Sequence, residues 1–288
     1  MLISIYIPTK NRLDMLQAAI ESVLNQTHRE VELIVVDDAS TDGTKSYLTE
    51  LAAKDTRVKF LSNSQSKGAC VARNMAIKQA QGEFVTGLDD DDEFEPYHIE
   101  ALINYWSILE RSKVVFSSIY VQYKYRNAGL FSYSRKNSSV EYTDLYYANC
   151  VGNQLFSTKA NYLKAGLFDE SMPAWQDLEF FYRFLKLNGA ARLLDISSYI
   201  FDITPRGDRI SRLNKSRILD SYVKFVTKHN LLKNHNVCRE LAAQVYSDYY
   251  GFKFEPADVG YFLKAGFMPK TVFRIFRDCR DNKAVKYY

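Results

Sequence analysis

Four aspartates and a glutamate stand side by side in Leu88-Asp89-Asp90-Asp91-Asp92-Glu93, between the apolar stretch Phe84-Val85-Thr86-Gly87 and Pro96. Adjacent carboxylates repel one another, so a folded chain holds them ionised at a strand end only where something cationic compensates. Hard divalent cations take oxygen ligands, and Mg2+ or Mn2+ is commonly shared between one or two carboxylates and the phosphates of a substrate. A nucleoside diphosphate is the ligand such a run would serve. A solvated acidic loop is the other reading that the run by itself allows.

The elements around the run decide where it stands. Residues 2–8 are apolar on both faces and rich in β-branched side chains, the pattern of a buried parallel strand, and the loop Thr9-Lys10-Asn11-Arg12 follows. The spacing of Leu13, Leu16, Ile20, Val23 and Leu24 predicts a helix over 13–25. A second strand over 31–36 ends in Asp37-Asp38, and Asp42 or Thr41 is placed to cap a helix over 43–54. A short strand over 58–61, a helix over 68–80 ended by Gly82, and a strand over 83–88 complete the alternation. Short strand–helix connections imply a parallel, doubly wound sheet, whose ligands gather beyond the carboxyl ends of the strands. Thr9, Asp38 and the run Asp89–Asp92 all fall at those ends.

Beyond residue 110 the pattern changes. Residues 114–123 alternate in part, 132–137 read as a polar loop, 151–157 as a strand, and 158–165 as a helix followed by a turn at Gly166. Trp175-Gln176-Asp177 opens an amphipathic helix, residues 193–203 read as a strand, and helices follow from 214.

Composition sets limits on function. The chain has 288 residues, 47% hydrophobic and 25% charged, as an ordinary globular protein does. Aromatic content is 14%, from 21 Tyr, 18 Phe and 2 Trp, a set of side chains suited to cores and equally to half-wet carbohydrate sites. Residues 1–110 hold 10 Lys/Arg against 18 Asp/Glu, and residues 201–288 hold 17 against 9, so the two ends face different partners. No basic arm runs through the fold, so nucleic acid is not an expected partner. Cys70, Cys150, Cys238 and Cys279 are scattered without metal or disulfide spacing, and His28, His98, His229 and His235 form no ligand pattern. No signal-peptide pattern precedes the first strand and no apolar run reaches the ~18 residues of a membrane span, so the expected location is cytoplasmic, with peripheral attachment to the inner face of the membrane left open.

Several segments together resemble an inverting glycosyltransferase of family 2 with the GT-A fold, of the bacterial surface-polysaccharide or O-antigen type. They are residues 5–12, Ser22–Thr27, Glu32–Thr44, Ala72-Arg73-Asn74, Gln81–Phe84, Leu88–Pro96, and Phe168-Asp169-Glu170 with Gln176-Asp177. The resemblance implies an α/β fold with a doubly wound mixed sheet: a GT-A domain over 1–212, nucleotide-binding in 1–110 and acceptor-facing in 111–212, and a helical, basic extension over 213–288.

It also implies roles. Asp38 would bond the uracil of a UDP-sugar with Thr9 helping to place the base, and Arg73 would lie near the nucleotide. The family's D-x-D falls on Asp89-Asp90-Asp91, with Asp89 on the ribose side and Asp91 on a Mn2+ or Mg2+ that bridges the diphosphate. The middle residue here is also Asp, so Asp89 remains a candidate metal ligand and Asp90 a nucleotide contact, and which of Asp89 to Asp92 ligates stays open. Asp177 matches the general base that deprotonates the acceptor hydroxyl; a first-turn acid favoured by the helix dipole is the plainer reading. Arg206 or Arg209, after the last strand, would clamp the diphosphate, or else belong to a mobile loop. Asn153, Trp175 and Gln176 are candidate donor- or acceptor-sugar contacts.

The implied reaction moves a hexose or N-acetylhexosamine from a UDP-sugar to a saccharide acceptor, polyprenyl-diphosphate-linked, in one β-linkage. A non-catalytic UDP-sugar-binding or scaffold protein is the alternative. A processive synthase would bring membrane spans and Q-x-x-R-W, and a sugar nucleotidylyltransferase would bring a glycine-rich loop where Pro8-Thr9-Lys10-Asn11 stands. Between Lys264 and Lys286, Phe267, Val272, Phe273, Ile275 and Phe276 alternate with basic residues. That is the pattern of a helix lying on an anionic membrane surface, or of one packed on the protein with a solvated basic face.

Overall fold

The computed structural model describes residues 1–205 and 214–280. Backbone contacts divide the chain into two compact units. The first comprises Met1–Tyr142, Cys150–Glu170 and Phe180–Pro205; the second comprises Thr143–Asn149, Ser171–Glu179 and Arg206–Tyr288, of which 214–280 are described.

Strand and helix alternate from the start: β1 (Ile3–Thr9), α1 (Leu13–Leu24), β2 (Val31–Asp37), α2 (Thr44–Lys54), β3 (Val58–Ser62), α3 (Ala69–Gln79) and β4 (Phe84–Gly87). Then come β5 (Glu93–Phe94), α4 (His98–Arg111), β6 (Ser118–Asn127), β7 (Leu130–Tyr133), β8 (Ser139–Val140), β9 (Ser157–Thr158) and α5 (Lys159–Lys164). The helix α6 (Gln176–Asn188) gives its first turn to the second unit and the rest to the first, and β10 (Ala191–Asp202) closes the first unit. The second unit is helical: α7 (Lys215–Lys228), α8 (His235–Val245), α9 (Pro256–Lys264) and α10 (Pro269–Arg280).

One sheet has the order β3-β2-β1-β4-β9, with β3, β2, β1 and β4 parallel and β9 antiparallel at the edge. The other runs β5-β10-β6-β7, with β8 also on β10, and a bridge between Ile119 and Phe156 links it to the first. Strands β1 and β2 are buried on both faces: Ile3, Ile5, Ile7, Leu33 and Val35 on one, and Tyr6, Ile34 and Val36 on the other, are all 2% exposed or less. The register sets Thr9 against Asp37 and Tyr6 against Gly87, so the parallel strands end at one level, and the acidic run begins there.

The same end depends on a small residue. A Cβ on Gly87 would lie 2.1 Å from Gln154 Oε1 and 2.4 Å from the Tyr6 ring, so the position admits only glycine without displacing them.

Three expectations shift. The helix expected over 43–54 starts at Thr44, and Asp42 serves two helices: its carboxylate accepts from Thr44 N–H at 3.2 Å and from Leu13 N–H, in the first turn of α1, at 3.0 Å. The strand expected over 151–157 shrinks to its last residue plus Thr158. Gly152 at φ 106° breaks the extended backbone there, and Asn153 and Gln154 turn their amides to the acidic run. Part of the loop expected over 132–137 is strand, because β7 pairs with β6.

Candidate active site

The acidic run splits by environment. Asp90 and Asp92 are 5% and 2% exposed, whereas Asp89 and Asp91 are half-buried, along a turn closed by Asp92 N–H on Asp89 O at 3.1 Å.

Asp90 points inward, where Thr9 Oγ1 donates to it at 2.8 Å and Arg12 Nη1 at 3.0 Å. Burial lifts its carboxyl to about 6, with the Arg12 charge and the Thr9 bond pulling against that and Asp91 adding to it. Asp92 is held from the second sheet by the Tyr199 hydroxyl at 2.8 Å and by Asp202 N–H at 3.0 Å. Burial, and then the charges of Asp89 and Asp91, raise its carboxyl well above the ordinary range despite those two bonds.

Asp89 faces a ring of donors. Arg73 Nη2 and Gln154 Nε2 reach Oδ1 at 3.1 and 3.3 Å, and Asn153 Nδ2 reaches Oδ2 at 3.1 Å. The Arg73 guanidinium also lies over the Phe168 ring, 5.3 Å from its centroid. Its neighbour Asn74 fixes that segment, exchanging bonds with the Phe168 backbone at 2.8 and 2.9 Å. Asp91 faces Arg12 Nη1 at 3.5 Å.

Asp38 is near by sequence register but differently engaged. Its N–H donates to Thr9 O at 2.9 Å, while its carboxylate accepts from Asn63, Ser66 and the N–H groups of Lys67 and Gly68 at 2.6–2.9 Å. Burial pushes this carboxyl up, but the four bonds together outweigh it and hold it below the ordinary range.

Thus the acidic run brings Thr9, Arg73, Asp89, Asp90, Asp91 and Asn153 together in the first unit, in two bonded groups, one around Asp90 and one around Asp89. Arg12, Gln154 and Tyr199 join them, and the sequence assigned none of these three a role. Arg12 was within reach of such reasoning, since it closes the segment 5–12; Gln154 and Tyr199 act across 65 and 107 positions of the chain. Trp175, Gln176 and Asp177 belong to the second unit. Asp177 is half-buried in the first turn of α6, two residues before Glu179, which is completely buried against Lys228 and His229 at 2.8 and 3.1 Å. Gln176 donates to Met172 O at 3.3 Å. Arg206 and Arg209 lie outside the described residues.

A divalent cation is compatible with this donor set. Asp89 and Asp91 are the half-exposed carboxylates of the run. Among the described residues no three or more His, Cys, Asp or Glu side chains are grouped to hold a metal alone. A site of one or two carboxylates completed by substrate phosphates does not need such a cage.

The pattern of Glycosyl transferase family 2 matches residues 4–161, which takes in β1 to β4, the acidic run and the Asn153-Gln154 pair. The chain belongs to glycosyltransferase family 2. This glycosyltransferase is 34% identical over 238 residues to the putative colanic acid biosynthesis glycosyl transferase WcaA of Escherichia coli (strain K12), covering 79% of this chain and 81% of that one. It is 37% identical over 133 residues to the Escherichia coli UDP-Glc:alpha-D-GlcNAc-diphosphoundecaprenol beta-1,3-glucosyltransferase WfaP, covering 46% and 51%. Among solved structures it resembles S. aureus TarS 1-349 in complex with UDP-GlcNAc, with TM-score 0.70 and 18% identity over 99% of this chain and 88% of that one. The fold of this transferase is therefore GT-A, and its activity is glycosyl transfer.

Proposed function

We propose that this transferase moves a hexose or N-acetylhexosamine from a UDP-sugar to a saccharide carried on a polyprenyl diphosphate, with inversion, during surface-polysaccharide synthesis at the cytoplasmic face of the membrane. The observation that carries the reading is the split acidic run: two inward carboxylates locked by Thr9, Arg12 and Tyr199, and two half-exposed ones beside Arg73 and Arg12. WfaP, whose name states a UDP-glucose donor and a diphosphoundecaprenol acceptor, and TarS, bound to UDP-GlcNAc, support the donor and acceptor classes.

In this reading Arg73 and Arg12 bind and orient the diphosphate, and Asp91, with Asp89, holds Mn2+ or Mg2+. When bound, that cation supplies charge neutralisation on the departing diphosphate. Asp38 and Thr9 serve the uridine; since the Asp38 carboxylate already has four donors, a uracil N–H must displace one of them, and the Ser66 hydroxyl is the most easily rotated. Asp177 accepts the proton of the acceptor hydroxyl as its oxygen bonds to the anomeric carbon and the bond to UDP breaks. Arg206 and Arg209 remain candidates for a clamp on the diphosphate, and Asn153, Trp175 and Gln176 for contacts to the sugars.

The basic C-terminal helix supports a peripheral contact with anionic lipid. In α10, Val272 and Ile275 point inward, while Phe273 is 64% exposed beside exposed Lys270 and Arg277. Among the described residues no helix is long and apolar enough to cross a membrane. Phe273→Ser should weaken flotation with phosphatidylglycerol vesicles while leaving the fold intact; unchanged flotation would remove the contact from the reading.

The deciding experiment measures UDP release from a panel of UDP-sugars with Mn2+, Mg2+ or EDTA, on a synthetic GlcNAc-diphosphate-lipid acceptor. Turnover of one donor, abolished by EDTA and by Asp91→Ala, supports the reading. Turnover of GDP- or CMP-sugars with none of UDP-sugars refutes it.

A further inference from the structure

The segment that carries Asp177 is braced from outside its own helix. Along α7, Arg217, Ser221, Lys224 and Lys228 follow the i, i+4, i+7, i+11 spacing of one helix face. Every one of them bonds to the stretch Ser171–Glu179. Arg217 Nη2 donates to Pro173 O at 2.9 Å, Ala174 N–H donates to Ser221 Oγ at 2.8 Å, and Lys224 Nζ donates to Ser171 O at 2.7 Å. Lys228 Nζ meets the completely buried Glu179 carboxylate at 2.8 Å, where His229 joins it at 3.1 Å. From the connection between α8 and α9, the Tyr250 hydroxyl accepts from Trp175 Nε1 at 3.2 Å.

The bracing has work to do. Trp175 adopts φ 55°, a left-handed backbone that a bulky side chain occupies only when its surroundings impose it. That strained residue directly precedes α6, so it sets the direction in which the first turn, and Asp177 with it, leaves the loop. Three bonds of the stripe grip backbone groups before Trp175 and the fourth grips Glu179 after it, so the residues in between are fixed from both sides.

We infer that the polar stripe of α7 positions Asp177: Ser221, Lys224 and Lys228 are positioning residues for the transfer step, and the helical extension is part of the machinery of catalysis. The inference rests on Asp177 being the general base. General-base catalysis tolerates little misplacement, since about 1 Å costs on the order of 100-fold in rate.

The test uses the full chain with Asp177→Asn, Ser221→Ala, Ser221→Thr and Lys224→Met. It reads kcat and donor KM on the UDP-sugar that turns over, UDP affinity by calorimetry, and amide hydrogen exchange. Expected are loss of transfer in Asp177→Asn with UDP affinity kept, and a fall in kcat of roughly 10- to 100-fold in Ser221→Ala and Lys224→Met. Donor KM and UDP affinity stay within about twofold, exchange rises in 172–179 and not in 88–93, and Ser221→Thr, which keeps the hydroxyl, regains most of the rate. If Asp177→Asn is inactive while Ser221→Ala and Lys224→Met keep both wild-type kcat and wild-type exchange in 172–179, the inference is overturned and the base assignment stands. A parallel fall in kcat, UDP affinity and thermal midpoint also overturns it, because the stripe would then be merely structural. Transfer at the wild-type rate by Asp177→Asn overturns the base assignment, and the inference with it. Should Ser221→Ala not fold, Lys224→Met, whose side chain bonds at the surface, carries the test alone.

Discussion

The Tyr199 hydroxyl donates to Asp92 Oδ2 at 2.8 Å, tying the last strand of the second sheet to the fourth aspartate of the acidic run. Both side chains are buried, and Asp89 N–H reaches the same hydroxyl at 3.4 Å. One phenol thereby fixes both ends of the turn that presents Asp89 and Asp91. Asp92 is an internal peg of that turn, and its inward bonds leave the outward positions to its neighbours.

Tyr199→Phe should therefore cost stability and nucleotide affinity together. Removing the hydroxyl leaves a buried carboxyl short of a donor, at about 1–3 kcal/mol. For a chain of this size that lowers the thermal midpoint by roughly 2–10 °C. Calorimetric unfolding with UDP titration checks both, and a midpoint equal to wild type would count against the role given to Tyr199.

Arg73→Lys should weaken UDP binding about tenfold and also lower stability, since the buried guanidinium makes its contacts within the folded chain. The guanidinium lies over Phe168 while it bonds Asp89, and a planar fork does both where an ammonium cannot. Isothermal titration with UDP and Mn2+ decides it, with equal affinity in the two proteins as the contrary result.

Gly87→Ala should destabilise by about 1–3 kcal/mol, the usual cost of overpacking. The new methyl would displace Gln154, which links the Tyr6 hydroxyl at 2.7 Å to Asp89 at 3.3 Å. The urea midpoint is the readout, and adding Gln154→Ala to Gly87→Ala should recover part of the loss by clearing the collision.

The sequence carried the frame well and the wiring poorly, for physical reasons. Two-sided apolar strands such as Ile3–Thr9 and Val31–Asp37 can be satisfied only by a covered parallel sheet, so their periodicity determines both fold class and the level at which Thr9 and Asp89–Asp92 must lie. Which carboxylate turns inward has no local signature. Four identical aspartates differ only in what Arg12, Tyr199 and Asn153 bring from elsewhere, and those partners are set by packing. Thr9 shows the same limit: its place at the strand end was legible, whereas its bond to Asp90 was not. The stripe on α7 was hidden because its acceptors at Ser171 and Pro173 are backbone carbonyls, which every residue has.

His98 should give the first unit a stability that declines in mild acid. Its ring is 2% exposed, stacked on Phe94 at 4.0 Å, with Nδ1 on Ser198 Oγ at 2.8 Å. Burial lowers its pKa from the ordinary 6.5 to about 3, so the folded ring stays neutral where the unfolded one charges. The unfolded chain therefore binds the extra proton, and the contribution is complete above about pH 6.5 and shrinks as pH falls toward 3. At ~1.4 kcal/mol per pH unit, the change from about pH 7.5 to about pH 5 removes on the order of 2 kcal/mol. His98→Gln keeps a donor for Ser198 and lacks the titration, so its urea-derived stability should fall less over that interval than the wild type's. Carboxylates such as Asp90 titrate in both proteins and cancel in the difference. Identical losses in the two proteins would mean that another group, and not His98, sets the slope.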